Sequence, residues 1–229
     1  NIFEPAERKA AFEQLINLIE EQEYHLDVGV LGGRVLFHVL TEFGYSDLAF
    51  SMITRPDYPS YGNWIARGAT TLWEVFQPEG SDRIGSLNHH FWGDISSWFT
   101  QALSGIRMAP HGEPNEVDFR PSFISRLTHA EAFHIAPAGR IASAWERDED
   151  DVIVLTVKLP STMHGAVWAN EEHMRIVAEY GFQPECYPAR TAAHAAGNVY
   201  EQGMLSIYGY SCRVKLRLQP NGCNAVSHE

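Results

Sequence analysis

The chain has 229 residues, 45% of them hydrophobic, and 29 acidic against 17 basic side chains give a formal net charge of −12. That composition excludes a disordered chain, and the lack of a clustered cationic stretch argues against nucleic acid and anionic membranes as partners. No apolar run reaches the roughly 18 residues a membrane span needs, and Cys186, Cys212 and Cys223 are too widely spaced for a metal-ligand pattern, with room for at most one bridge.

The first half reads as helical. Phe12, Leu15, Ile16 and Ile19 recur at helical spacing and predict one amphipathic helix with an inward face. A turn over Asp27–Gly33 follows, and Gly29, Gly32 and Gly33 read as turn residues. Val35, Leu36, Val39 and Leu40 predict the inward face of a second helix stopped at Gly44. Ser46 is expected to cap a third helix, Asp47–Ile53, which Pro56 and Pro59 end. Pro59–Arg67 reads as a loop crossing the surface, Thr70–Phe76 as a short helix and Asp94–Ile106 as the strongest helix, closed by Gly105.

The pattern changes after Met108. Pro110–Pro114 is punctuated like a linker, and period-two or short apolar runs beyond it predict strands. Ile141–Glu146 and Val152–Leu159 flank the acidic turn Asp148–Asp151 and predict a hairpin. Met163–Ala169, Met204–Tyr210 and an alternating Cys212–Leu218 read as further strands, and Glu171–Tyr180 as a short helix or an inserted loop. Domains are therefore expected at residues 1–110 and 111–229. With Asn1 rather than Met in first place, the chain is expected to be a piece of a longer polypeptide.

Chemistry concentrates between Gly68 and Gly93. Glu74 stands alone among Trp64, Trp73, Phe76 and Trp92, and His89 and His90 follow it. A carboxylate beside aromatic faces is what a sugar-cleaving site needs: ring faces make apolar and CH contacts to a pyranose, and the carboxylate serves as nucleophile or as a base for water. The plainer reading is a solvated Glu at a helix end. His89 and His90 read equally as a helix start capped by Asn88 or as a donor to a substrate hydroxyl. His129 and His134, five apart on a strand, point to opposite faces and make a poor metal pair; with His164, His173 and His194 they read as structural or surface residues. No G-x-S-x-G elbow or phosphate-cradling glycine loop is present, and neither metal nor cofactor is expected.

Four blocks in order, H-L-D-V-G-V-L-G-G (His25–Gly33), Y-P-S-Y-G-N-W (Tyr58–Trp64), G-A-T-T-L-W-E (Gly68–Glu74) and S-L-N-H (Ser86–His89), resemble the bacterial α-L-rhamnosidases, glycoside hydrolase family 78. The likeness continues, more weakly, through Ala136–Glu146. It implies an α + β multidomain fold: the last helical hairpins of an (α/α)6 barrel, then a C-terminal antiparallel β-sandwich. It implies an inverting glycosidase acting on rhamnose-containing glycosides or polysaccharides, with Glu74 as general base and His89 reaching the rhamnose. Trp64 and Trp73 are expected to bind substrate. The family's acidic, Trp-containing block with the general acid has no match here, so the resemblance implies that the N-terminal part of the same polypeptide supplies it. Readings of other kinds stand beside this one: a non-catalytic carbohydrate-binding or scaffold piece, or another (α/α)6 glycosidase. The compartment is left open.

Overall fold

The computed structural model describes residues 3–82, 85–110 and 112–168, and the backbone alone at 174–175 and 204–218. The chain divides into two compact units, Asn1–Ser97 and Trp98–Glu229.

In the first unit α1 spans Pro5–Glu21, with Pro5 at its first turn and a reciprocal Glu4–Glu7 capping box. Its buried residues are Phe12 and Ile19, one from each end of the expected face. Helix α2 spans Val30–Glu42 and buries Gly33, Leu36, Phe37 and Leu40. Val35, expected inward, is exposed, so the buried stripe is rotated from the expected one. Gly32 and Gly33 are helical rather than turn residues; Gly29 alone precedes the helix, as its cap. Space explains Gly33, because a Cβ there would meet Trp92 Cζ3 at 2.3 Å.

Helix α3 spans Ser46–Thr54 and begins at Ser46 instead of being capped by it. The stretch read as a surface loop holds α4, Tyr61–Ala66, which buries Tyr61 and Trp64. Ser60 caps it by accepting from the Asn63 amide at 2.9 Å. Conversely, the expected Thr70–Phe76 helix is irregular backbone. The expected long helix is only α5, Ile95–Trp98, running into a π-helical turn, Phe99–Leu103. Gly105 ends it with φ +76, and Ile106 is already in a strand. Among the described residues these helices do not close a six-hairpin toroid.

The second unit is one seven-stranded mixed sheet: β1 Ile106–Met108, β2 Glu116–Phe119, β3 His129–Ala136, β4 Gly139–Arg147, β5 Val152–Trp168, β6 Met174–Arg175 and β7 Met204–Leu218. The β4–β5 hairpin forms as expected, antiparallel from Ala142↔Lys158 to Arg147↔Ile153. In its turn Asp148 Oδ1 accepts from the Asp150 and Val152 amides, both at 2.9 Å. The two strands expected at 204–218 are one, β7, paired with β5 along its length. Instead of a purely antiparallel sandwich, β2 pairs parallel with the far half of β5, Glu116↔His164 to Phe119↔Val167. The register of β5 against β7 shifts between Leu159 and His164, which separates the half of β5 that holds β4 from the half that holds β2. Side chains from both halves, Val117, Phe119, Ile141, Trp145, Leu155 and Val167 among them, share one core. A strand at Met174–Arg175 replaces part of the expected Glu171–Tyr180 helix. The rest of that stretch, His173, His194, Cys186, Cys223 and the side chains of β7 lie outside the described residues.

Candidate active site

The candidate residues all fall in the first unit. Irregular backbone from Thr71 to Phe76 lies against the Ser86–His89 segment, and the join is made by main-chain groups rather than by apolar pattern. The Glu74 amide donates to the Ser86 carbonyl at 2.8 Å, and the His89 amide to the Leu72 carbonyl at 2.8 Å. The Thr71 hydroxyl donates to the Leu87 carbonyl. In return the Ser86 amide donates to Glu74 Oε2 at 2.8 Å. Glu74 is therefore half-buried and held at both ends, by its own amide and by its carboxylate, against one residue.

The carboxylate and His89 are brought onto adjoining segments by this pairing. His89 is half-buried and stacks its ring near-parallel to His90, 5.1 Å away. Its Nδ1 accepts from the Phe91 amide at 3.2 Å. A nitrogen that accepts carries no proton in the neutral ring, so the proton sits on Nε2, and Nε2 is the donor His89 can offer. His90 and Phe91 are exposed.

Trp64 and Trp73, expected to meet substrate, are packed inside. Trp64 is 2% exposed and stacks on Phe76 at 4.2 Å between centroids. Its buried indole N–H has no acceptor among the described residues. Trp73, 9% exposed, lies 6.0 Å from Trp64 and carries the Arg67 guanidinium 5.2 Å over its ring. Arg67 also donates to the Gln77 carbonyl at 2.7 Å, tying both ends of the Trp73–Gln77 stretch. Both tryptophans are thus packed in the aromatic cluster with Phe76 instead of presenting open faces.

Trp92 closes the cluster. Its ring packs edge-on to Phe76 at 4.6 Å, and its Nε1–H donates to the Glu74 carbonyl at 2.9 Å. The Tyr61 hydroxyl donates to the Trp92 carbonyl at 3.2 Å. Burial, with a smaller push from Asp94, holds the Tyr61 phenol above its ordinary range, so it stays a neutral donor. Asp94 itself pairs with His38 Nε2 at 3.1 Å.

A second polar cluster joins the first sequence block to the residues just before the second. Arg55 donates from Nε and Nη2 to the two oxygens of Asp57, at 2.9 and 2.7 Å. His25 Nε2 lies 2.8 Å from Asp57 Oδ2. The Arg55 bonds first, and His25 second, hold the Asp57 carboxyl well below the usual carboxylate range. Sequence reasoning missed His25–Asp57 and His38–Asp94, because partners 32 and 56 residues apart leave no spacing signal. It also missed Ser86 as the partner of Glu74, since that bond uses a main-chain amide that every residue but proline possesses. Among the described residues no group of three or more His, Cys, Asp or Glu could hold a metal ion.

Comparison with known proteins converges on one family. Residues 1–103 match the bacterial alpha-L-rhamnosidase 6 hairpin glycosidase domain, and residues 115–181 the bacterial alpha-L-rhamnosidase C-terminal domain. An alpha-L-rhamnosidase of Streptomyces avermitilis is 32% identical over 179 residues, covering 76% of this chain and 17% of the relative. One from Formosa agariphila is 33% identical over 161 residues, covering 68% of this chain and 17% of the relative. The structure of the Streptomyces avermitilis enzyme complexed with L-rhamnose superposes with a TM-score of 0.73 at 26% identity, over 93% of this chain and 20% of that one. The alpha-L-rhamnosidase from Dictyoglumus thermophilum gives 0.71 at 26% identity, over 89% and 22%. This chain thus spans about a fifth of the length of the proteins it matches.

Proposed function

Because the chain belongs, over the stretches those two domain families match, to the bacterial α-L-rhamnosidases, we propose that it carries one half of an inverting rhamnosidase site. Glu74 is the general base, His89 donates from Nε2 to a sugar hydroxyl, and the substrate is a terminal α-L-rhamnoside. In this reaction a water attacks the anomeric carbon and Glu74 takes its proton. The glycosidic C–O bond breaks, and a second carboxylic acid protonates the departing oxygen. An inverting pair stands roughly 6.5–9.5 Å apart to admit that water. The acids nearest in sequence do not fit the second role: Glu79 and Asp82 are loop charges, and Asp94 is engaged by His38. The acid is therefore assigned to another part of the same polypeptide, and the chain by itself is expected to be inactive. Trp64 and Trp73, proposed from the resemblance to bind substrate, lie buried in the cluster beside Glu74 and would meet a sugar only at the edge of that cluster.

The observation that carries this reading is the double attachment of Glu74 to Ser86, which fixes a half-buried carboxylate beside the segment that bears His89. The test is Glu74→Gln in the intact protein, assayed on an aryl α-L-rhamnoside. Turnover should fall by about 10²–10⁴-fold while the melting temperature stays unchanged, and NMR of the first product from the unmodified protein should show the β anomer. Near-normal turnover of the Gln variant would remove Glu74 from the mechanism, and an α anomer would remove inversion.

A further inference from the structure

A base at Glu74 needs its carboxylate plane fixed, and two features at residues 85–86 do this. The Ser86 amide donates to Oε2 at 2.8 Å, and the Ser86 carbonyl receives the Glu74 amide at 2.8 Å. That close approach depends on the residue before Ser86. A Cβ at Gly85 would meet Val75 Cγ2 at 2.9 Å, Glu74 Cβ at 3.4 Å and Glu74 Oε2 at 3.6 Å. The first of these is closer than carbon atoms pack, so a side chain at 85 separates the two segments just where the amide reaches the carboxylate. The Ser86 hydroxyl is turned elsewhere, donating to the Asn88 carbonyl at 3.1 Å and accepting from the Asn88 amide at 3.3 Å.

The geometry points to Gly85 and the Ser86 main-chain amide as the positioning elements of Glu74, an assignment that rests on Glu74 being the base. Holding Oε2 fixes the carboxylate plane and with it the direction from which a water is met. A main-chain donor does this without a mobile side chain, since charge-assisted bonds of this kind are short and strong. Gly85 contributes only by having no Cβ.

The experiment is a set of variants in the intact protein on an aryl α-L-rhamnoside. Gly85→Ala should lower kcat about a hundredfold, the scale on which a displacement of roughly 1 Å acts, with KM within about threefold of the parent, because no side chain proposed to touch the sugar is replaced. In the Glu74→Gln background, Gly85→Ala should cause no further loss, since a residue acting through Glu74 has nothing left to position. Should Gly85→Ala fold poorly, Val75→Ala added to it removes the 2.9 Å clash and should restore both folding and kcat. Parental kcat in Gly85→Ala overturns the assignment, and so does an equal, additive loss on top of Glu74→Gln. Active Glu74→Gln would instead sink the function reading, which keeps the two failures apart.

Discussion

The β4–β5 hairpin and the Thr71–Phe91 segment are held together by opposite means. In the hairpin alternate residues turn inward, and Ile141, Ser143 and Trp145 are each at most 1% exposed. Their cohesion comes from many apolar contacts, each small and partly replaceable. The Thr71–Phe91 segment has no such alternation. Among its described residues, the fixing of Glu74 to residues 86–89 rests on a few main-chain bonds, with one indole N–H on its carbonyl, and each is unique. Stability built from burial is broad and tolerant in detail; geometry built from single polar bonds is narrow, and the role proposed for Glu74 needs the narrow kind.

The largest expected effect tests the first half of that contrast. Trp145 is 1% exposed, packs edge-on to Phe123 at 5.3 Å and donates to the Leu103 carbonyl at 2.7 Å. In the intact protein Trp145→Ala should cost about 3–5 kcal/mol in urea unfolding, while molecules that remain folded keep the proposed rhamnosidase turnover. A cost below about 1 kcal/mol would mean that the sheet core is not where the second unit draws its stability. Gly33→Ala comes next and falls on the other side of the comparison. Its methyl would sit 2.3 Å from the Trp92 ring, and overpacking of this sort costs about 1–3 kcal/mol. Because Trp92 anchors the carbonyl of the proposed base Glu74, turnover of the intact protein per folded molecule should fall as well, unlike in Trp145→Ala. Equal specific activity in the two variants would erase the distinction. Trp92→Phe removes only the indole donor to that carbonyl; about 1 kcal/mol is expected from thermal melts, with the ring packing on Phe76 preserved.

The same contrast explains which parts of the molecule were legible in the sequence. The hairpin was, because alternation and an acidic turn are local signals that survive folding. The α1 face was too, through Phe12 and Ile19. Helix α4 was not: Pro59 and Gly62 look like loop punctuation, yet Ser60 caps a helix, and Gly62 admits the Arg55 carbonyl where a Cβ would lie 2.2 Å from it. Thr70–Phe76 failed in reverse, since Leu72, Trp73, Val75 and Phe76 mimic a helical face while the main-chain groups of Leu72 and Glu74 bond to His89 and Ser86. The parallel pairing of β2 with β5 joins residues nearly fifty apart and writes nothing into either strand. Within the site, Glu74 and His89 could be picked out as chemical types in an aromatic frame. Their fixing by Ser86 could not, because an amide has no letter of its own.

The smallest expected effect concerns the Arg55–Asp57–His25 cluster, which belongs to neither kind. It joins the segment after α1 to the connection between α3 and α4 through exposed ionic bonds; the Asp57 side chain is 49% exposed. Its carboxyl titrates below its ordinary range when folded, so the cluster binds fewer protons folded than unfolded. Its stabilisation is therefore fully present above the unfolded carboxylate value of about 3.9 and is lost as pH falls from there toward the lower folded value. Asp57→Asn removes that dependence. The melting-temperature gap between parent and variant should be widest near neutrality and narrow steadily below about pH 4. Solvent screening keeps the whole effect under about 1 kcal/mol, and added salt should shrink it further. A gap of constant size from neutrality to strong acid would show that Asp57 acts there by shape, as an acceptor that Asn replaces poorly, and the cluster would then join the Thr71–Phe91 segment as a site held by directed bonds rather than by charge.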